Sequence, residues 1–128
     1  MTDSGFTATE LKASLTTKDL AKSLEWYHGV VGFAITNKYE NEGKLRAASL
    51  QAGNIHLLLN QDDGKRGWTR VKGEGFALTF VTADVDGAAK RIKAKGGKLE
   101  TEPADMPWGA RMFRVLDPDG YKLAISNK

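Results

Sequence analysis

The sequence predicts an α+β fold made of two copies of one unit, and three observations lead to this prediction. Residues 11–27 contain a short strand-like run, then Asp19, then an amphipathic helical pattern. Residues 76–92 repeat that order around Asp84. Each copy is followed by a Gly and by several short β-like runs. Because a strand–helix–strands unit cannot bury both faces of its sheet alone, we expect the two copies to pack together.

The first copy begins with residues 8–16, which have the length and Thr content of a strand. Asp19 is placed to cap the following helix by accepting bonds from its first free N–H groups. Apolar residues then recur at helical spacing, at Leu20, Leu24, Tyr27 and Val31. The helix is expected to end near 29–32. The remaining strands are expected to start at 33–36 and to cover 44–51 and 54–60, the last two joined by a tight turn.

In the second copy Asp84 is the predicted helix cap, and Gly96 and Gly97 close the helix. Its inner side is formed by Val85, Ala88, Ala89 and Ile92. A short edge strand is expected at 98–102. Two further strands, 111–116 and 122–126, pair around the turn sequence Asp-Pro-Asp-Gly at 117–120.

The segment 61–75 is polar and rich in Gly, which is typical of a linker. We therefore expect one domain over residues 1–128, with a first module at about 8–60 and a second at about 76–127. Such a linker permits the modules to pair within one chain or to swap between chains.

The composition limits the classes of function. The 128 residues include no cysteine, which excludes disulfides, thiolate metal sites and cysteine nucleophiles. No apolar run approaches a membrane span, and no signal peptide is visible, so we expect a cytoplasmic protein that does not bind membranes. The net charge is +3, but Lys and Arg alternate with Asp and Glu, so nucleic acid is not an expected partner. The denser basic stretch at 65–72 is interpreted as a solvated loop.

Several short motifs follow one another in a characteristic order: 18–27 with Val31-Gly32-Phe33, then 75–81, 107–111 and 117–121. With these motifs, residues 11–127 resemble the vicinal oxygen chelate superfamily, which includes glyoxalase I, extradiol dioxygenases, fosfomycin-resistance proteins and bleomycin-binding proteins. The resemblance implies two βαβββ modules around a cupped mixed sheet, the glyoxalase/bleomycin resistance fold, and a homodimer.

The resemblance also allows a test for a metal site. Metal-dependent members carry one ligand on each of four strands, and the matching positions here are Lys12, His56, Phe76 and Ala124. Only His56 has a lone pair to offer in its usual state, since Lys12 is protonated and the other two side chains have no donor. A catalytic metal site generally needs about three protein ligands. We therefore expect neither a metal nor another cofactor.

Lys12 and His56 are the polar candidates for contact with a ligand. By alternation His56 shares a face with Leu58, and it is either a core or rim histidine satisfied by one neighbour or a ligand contact or proton carrier inside the cleft. Lys12 either extends to solvent or points inward, where it would favour an anionic ligand.

The remaining candidates are aromatic residues and one arginine. Phe76, Trp108 and either Phe113 or Met112 are expected to supply apolar walls, and Trp68 a lid or a dimer contact. Arg111 and Arg114 fall on opposite faces of one strand, so at most one enters the cleft, and a surface salt bridge is the alternative. The predicted ligand-binding set is Lys12, His56, Phe76, Trp108, Arg111, Phe113 and Trp68.

The function predicted from these residues is metal-independent binding of a small organic molecule, neutral or anionic. One alternative is a lyase or dioxygenase-type enzyme of the same superfamily. It would use either His56 and Lys12 as acid and base, or a non-standard metal site of His56 with Glu10, Glu74 or Glu100. The other alternative is a non-catalytic partner or regulatory module whose cleft is closed by its own side chains.

Overall fold

The structure, a computed structural model, describes residues 5–128. The first half forms one four-stranded sheet in the order β1-β4-β3-β2, in which β1 and β4 are parallel. Asp19 caps the helix that follows β1, as expected, by accepting a bond from the Lys22 backbone N–H. The elements are β1 (Ala13–Thr17), α1 (Leu20–Leu24), a π-helix (Glu25–Val31), β2 (Ala34–Asn41), β3 (Lys44–Ala52) and β4 (Ile55–Gln61).

The second half repeats this connectivity in a sheet of order β5-β8-β7-β6, with β5 parallel to β8. Asp84 caps α2 through the Gly87 backbone N–H. The elements are β5 (Ala77–Val81), α2 (Val85–Ala94), β6 (Thr101–Asp105), β7 (Arg111–Leu116) and β8 (Lys122–Ser126). The predicted α+β class, with two βαβββ modules, is confirmed.

Three local boundaries differ from the prediction. The first strand begins at Ala13 rather than at residue 8, and its parallel pairing with β4 begins there, opposite Leu57. The first helix continues as a π-helix, in which the Gly32 and Phe33 N–H groups both bond to the Tyr27 carbonyl. Gly32 ends it with a φ of 112°, a value that favours glycine. The sixth strand is displaced to Thr101–Asp105 and its register is interrupted by a bulge.

Each helix packs against one face of its own sheet, and the two modules of the chain share one core. Phe33 of the first module and Phe80 of the second meet edge to face with ring centroids 5.8 Å apart. Tyr121, beside β8, bonds through its hydroxyl group to both the N–H and the carbonyl of Thr16 in β1. This arrangement leaves the opposite face of the first sheet open. No helix within residues 5–128 has the length and hydrophobicity required to cross a membrane.

Candidate ligand-binding site

A cavity of about 540 Å³ lies on the open face of the first sheet. It crosses the sheet from Lys12, just before β1, to β2, and residues of β2, β3 and β4 form its wall. The lining residues are Lys12, Thr36, Asn37, Tyr39, Ala47, Ser49, His56, Leu57 and Leu58.

The alternation of side chains along β4 explains the mixed lining. Leu57 and Leu59 are buried on the helix-covered side, while His56 and Leu58 point to the open side. Ser49 of β3 pairs with Leu58 and, on its other side, Asn37 of β2 pairs with Ser49. Polar and apolar side chains therefore lie side by side across the pocket floor.

The structure brings Lys12 and His56 together at the edge of this pocket. The first parallel pair of the sheet joins Ala13 to Leu57; Lys12 immediately precedes Ala13, and His56 immediately precedes Leu57. The His56 side chain is 40% exposed, and its Nε2 atom lies 3.8 Å from a carboxylate oxygen of Glu10. One ammonium group and one imidazole thus lie beside apolar side chains, an arrangement that suits an organic molecule with one polar end.

Two other predicted residues lie on the helix-covered side of the second sheet. Phe113 is 0% exposed and belongs to the core, so it offers no surface to a ligand. Arg111 donates to both carboxylate oxygens of Asp86 at 3.0 Å and to Asp105 at 3.2 Å. These carboxylates hold the pKa of Arg111 above its ordinary value, and Arg111 holds that of Asp86 below its own. Arg111 therefore links α2 to β6 and β7 through salt bridges, which was the predicted alternative to a ligand contact.

The three remaining aromatic candidates are exposed and separate from the pocket. Phe76 precedes β5, and its ring lies 5.7 Å from that of Tyr121. Trp68, 53% exposed, packs over Gly64 within the linker and leaves no room for a side chain there. Trp108, 66% exposed, lies in the turn between β6 and β7.

Comparison with known proteins identifies the family. Residues 9–125 match the family described as Glyoxalase/Bleomycin resistance protein/Dioxygenase superfamily. The chain belongs to this superfamily. It is 33% identical over 127 residues to a probable lactoylglutathione lyase from Vibrio cholerae, an alignment that covers 92% of this chain and 90% of the relative. It is 29% identical over 113 residues to a probable lactoylglutathione lyase from Synechocystis sp., covering 84% of this chain and 86% of that protein.

Solved structures of the superfamily share the fold. The crystal structure of a member from Sphaerobacter thermophilus has a TM-score of 0.76 to this chain, at 23% sequence identity. The match covers 94% of this chain and 97% of the other. At this identity the likeness shows the fold alone.

The residues of this superfamily member do not fit the metal site of its metal-dependent relatives. Ala124, at one of the four matching positions, is paired with Thr79 on one side and with Arg114 on the other. Neither neighbour brings a carboxylate or an imidazole to that point, and Arg114 brings a positive charge. Across residues 5–128, no group of three or more His, Cys, Asp or Glu side chains could hold a metal ion.

Sequence reasoning missed the polar residues on the far side of the pocket. Tyr39 and Ser49 lie with their hydroxyl oxygens 3.4 Å apart, and Thr36 donates to the Ser49 carbonyl. Alternation alone does not place the β2 residues, because β2 has register shifts on both sides of Asn37–Tyr39. The pairing of Asn37 with Ser49 is seen only in the folded sheet and could not be predicted from the sequence.

The linker contains a second feature that the sequence did not indicate. The Lys72 side chain is 6% exposed, and its Nζ atom lies 3.1 Å from Asp62. The Gly64 N–H, Lys72 and Arg70 together hold the pKa of Asp62 below its ordinary value. Lys72 is therefore a buried ion-pair partner rather than part of a solvated loop.

Proposed function

We propose that the protein binds a small organic molecule, neutral or anionic, in the pocket on the open face of the first sheet. The observation that carries this proposal is the placement of Lys12 beside His56 at the edge of a cavity of about 540 Å³. Ligand pockets commonly have volumes of about 300–1,000 Å³ and combine apolar walls with a few polar groups.

The lining suggests how such a molecule would be oriented. Leu58 and Ala47 offer apolar surface to the body of the ligand. The Lys12 ammonium would bond to a carboxylate or another acceptor, since bonds to a charged group are stronger than neutral ones. Ser49 and Tyr39, on the opposite side, would contact a second polar group.

Calorimetric titration with matched pairs of aromatic carboxylates and their primary amides tests the proposal. We expect a carboxylate to bind more tightly than its amide, and Lys12→Met to remove the difference. Lys95→Met, on an exposed residue at the end of α2, is the matched control and should leave the difference intact. Binding that Lys12→Met and His56→Gln both leave unchanged would contradict the proposed site.

A second candidate, a lyase of the superfamily, is favoured by the two relatives named probable lactoylglutathione lyase. His56 and Lys12 line one pocket and would serve as acid and base. Turnover of lactoylglutathione by metal-stripped protein, and after addition of Ni²⁺ or Zn²⁺, tests it. Activity lost in His56→Gln but kept in Lys95→Met would support an enzyme. The absence of turnover under every condition would reject it for this substrate.

The closed-cleft alternative receives no support from the geometry. It requires Phe76 and its neighbours to fill the cleft, whereas the Phe76 ring packs beside Tyr121 and outside the pocket. A partner or regulatory role would therefore need a different surface.

We also propose that the protein is a cytoplasmic homodimer. β5 stands at one end of its sheet order, so a second copy has a strand edge to pair with. Sedimentation velocity over a hundredfold range of concentration tests this, and a constant monomer mass would contradict it.

A further inference from the structure

A second cavity, of about 560 Å³, opens between the two modules. The first module contributes the end of the π-helix and the turn that joins β3 to β4, and the second contributes β5, α2, β7 and β8. The lining residues are Val31, Phe33, Ala52, Gly53, Asn54, Ile55, Phe80, Val81, Thr82, Ala88, Val115, Leu123 and Ile125.

From this geometry we propose that the protein has a second ligand site, between its modules, for an uncharged apolar molecule. Among the lining residues, all within the described part of the chain, none has an ionisable side chain. The polar side chains are those of Asn54 and Thr82. A charged ligand would lose its hydration there without an ionic partner, so the site favours a neutral one.

The volume of the cavity favours a small molecule over a protein surface. Its floor consists of core residues, among them Leu123 and Val115, each 1% exposed, and Phe33. Ligand pockets commonly have volumes of about 300–1,000 Å³, and this cavity lies within that range. A small apolar molecule can enter the cavity and contact side chains of both modules, whereas a second copy of the chain would contact the exposed rim at Ile55 and Val81.

The second site is independent of the first pocket. No residue lines both cavities, although Ile55 and His56 are consecutive in β4. Their side chains point to opposite sides of the strand, so Ile55 contributes to the cavity between the modules and His56 to the pocket on the open face. Occupancy of one site therefore does not require the other.

Titration with N-phenyl-1-naphthylamine, a neutral probe whose fluorescence rises in apolar surroundings, tests the proposal. Ala88→Leu places additional side-chain volume in the cavity, and we expect it to weaken binding at least tenfold. Ala94→Leu, the same change at an exposed position of α2, is the matched control and should leave the affinity unchanged. Ile55→Ser at the exposed rim should also weaken binding, and it serves if Ala88→Leu does not fold.

Three results would overturn the inference. The first is equal affinity in Ala88→Leu, Ile55→Ser and the unchanged protein. The second is loss of the probe in Lys12→Met with no effect of Ala88→Leu, which would place the probe in the first pocket. The third is loss of probe binding as the protein concentration rises and a dimer forms, which would show that a second copy covers the cavity.

Discussion

The hydroxyl group of Tyr27 donates a 2.7 Å hydrogen bond to Asp117, a buried contact between residues 90 positions apart in the sequence. Tyr27 lies in the π-helix of the first module, and Asp117 opens the turn before β8 in the second. Burial raises the pKa of Tyr27 far above its ordinary value, so its hydroxyl group remains a donor. Asp117 also accepts bonds from the backbone N–H groups of Asp119 and Tyr121. One carboxylate therefore holds its own turn and joins it to the other module.

Removing this hydroxyl group should destabilise the protein. Tyr27→Phe keeps the ring but leaves the buried Asp117 carboxylate with one donor fewer, and an unsatisfied buried group costs about 1–3 kcal/mol. Urea denaturation would measure the change in the free energy of unfolding. Tyr39→Phe, where the hydroxyl group is exposed, is the control and should change it little. Equal stability of Tyr27→Phe and the unchanged protein would mean that the bond contributes nothing.

Asp117 should also make the free energy of unfolding depend on pH. Burial raises its pKa in the folded protein, against the partly opposing effect of its hydrogen bonds. The folded state therefore keeps a proton over a pH range in which the unfolded chain has lost it. The stability contributed by this group is complete below the unfolded pKa of about 3.9 and is lost as pH rises through the folded pKa.

Denaturation of the unchanged protein and of Asp117→Asn at a series of pH values would detect this effect. The difference in stability should move in favour of Asp117→Asn as pH rises. Asp62 and Asp86 have lowered pKa values, so the stability that they contribute is lost as pH falls. Both proteins contain these two residues, so their contributions cancel when one free energy of unfolding is subtracted from the other. A difference that does not vary with pH would contradict the prediction.

Arg111 distinguishes a structural role from a ligand contact. Arg111→Lys cannot reproduce the paired bonds to the two oxygens of Asp86, so we expect a small decrease in Tm. The difference in Tm between the variant and the unchanged protein should become smaller when salt is added, because salt screens exposed ion pairs. Ligand affinity in the first pocket should not change, since Arg111 lies on the helix-covered side of the other sheet. A tenfold loss of affinity in this variant would return Arg111 to the binding site.

The ion pair of Asp62 with Lys72 should keep the linker ordered. Lys72→Met leaves a buried carboxylate without its nearest cation, so we expect faster trypsin cleavage after Lys65 and Arg66. The double variant Asp62→Asn with Lys72→Met should recover part of the resistance, because the buried carboxylate is then removed together with its nearest cation. Lys95→Met is the control, and identical cleavage rates in all variants would show that the pair does not hold the linker.

Much of the fold was accessible from local signals. Asp19 and Asp84 mark the two helix starts, and the turn at 117–120 fixes the strands on either side of it. These features depend on residues close in sequence. The π-helix was not accessible from local spacing, and at its end Arg91 of the second module donates to the Val31 carbonyl, a contact that only the packed modules show.

The candidate site was only partly accessible for the same reason. Lys12 and His56 come together because the parallel pairing of β1 with β4 places the starts of these strands side by side. The resemblance to the superfamily had already matched both residues to positions of one site. Phe113 lies in the core, and hydrophobicity alone does not decide which side of its strand a residue occupies. Tyr39 was missed because the bulges of β2 change which residues face the pocket.

The alternation of Ile55 and His56 along β4 has a consequence for how this chain can change over generations. A substitution at His56 alters the pocket on the open face without touching the cavity between the modules, and a substitution at Ile55 does the reverse. Natural selection can therefore act on the two cavities separately. A deletion of one residue within β4 exchanges the two faces and disturbs both at once. Related sequences should accordingly vary in side chain at these positions far more readily than in strand length.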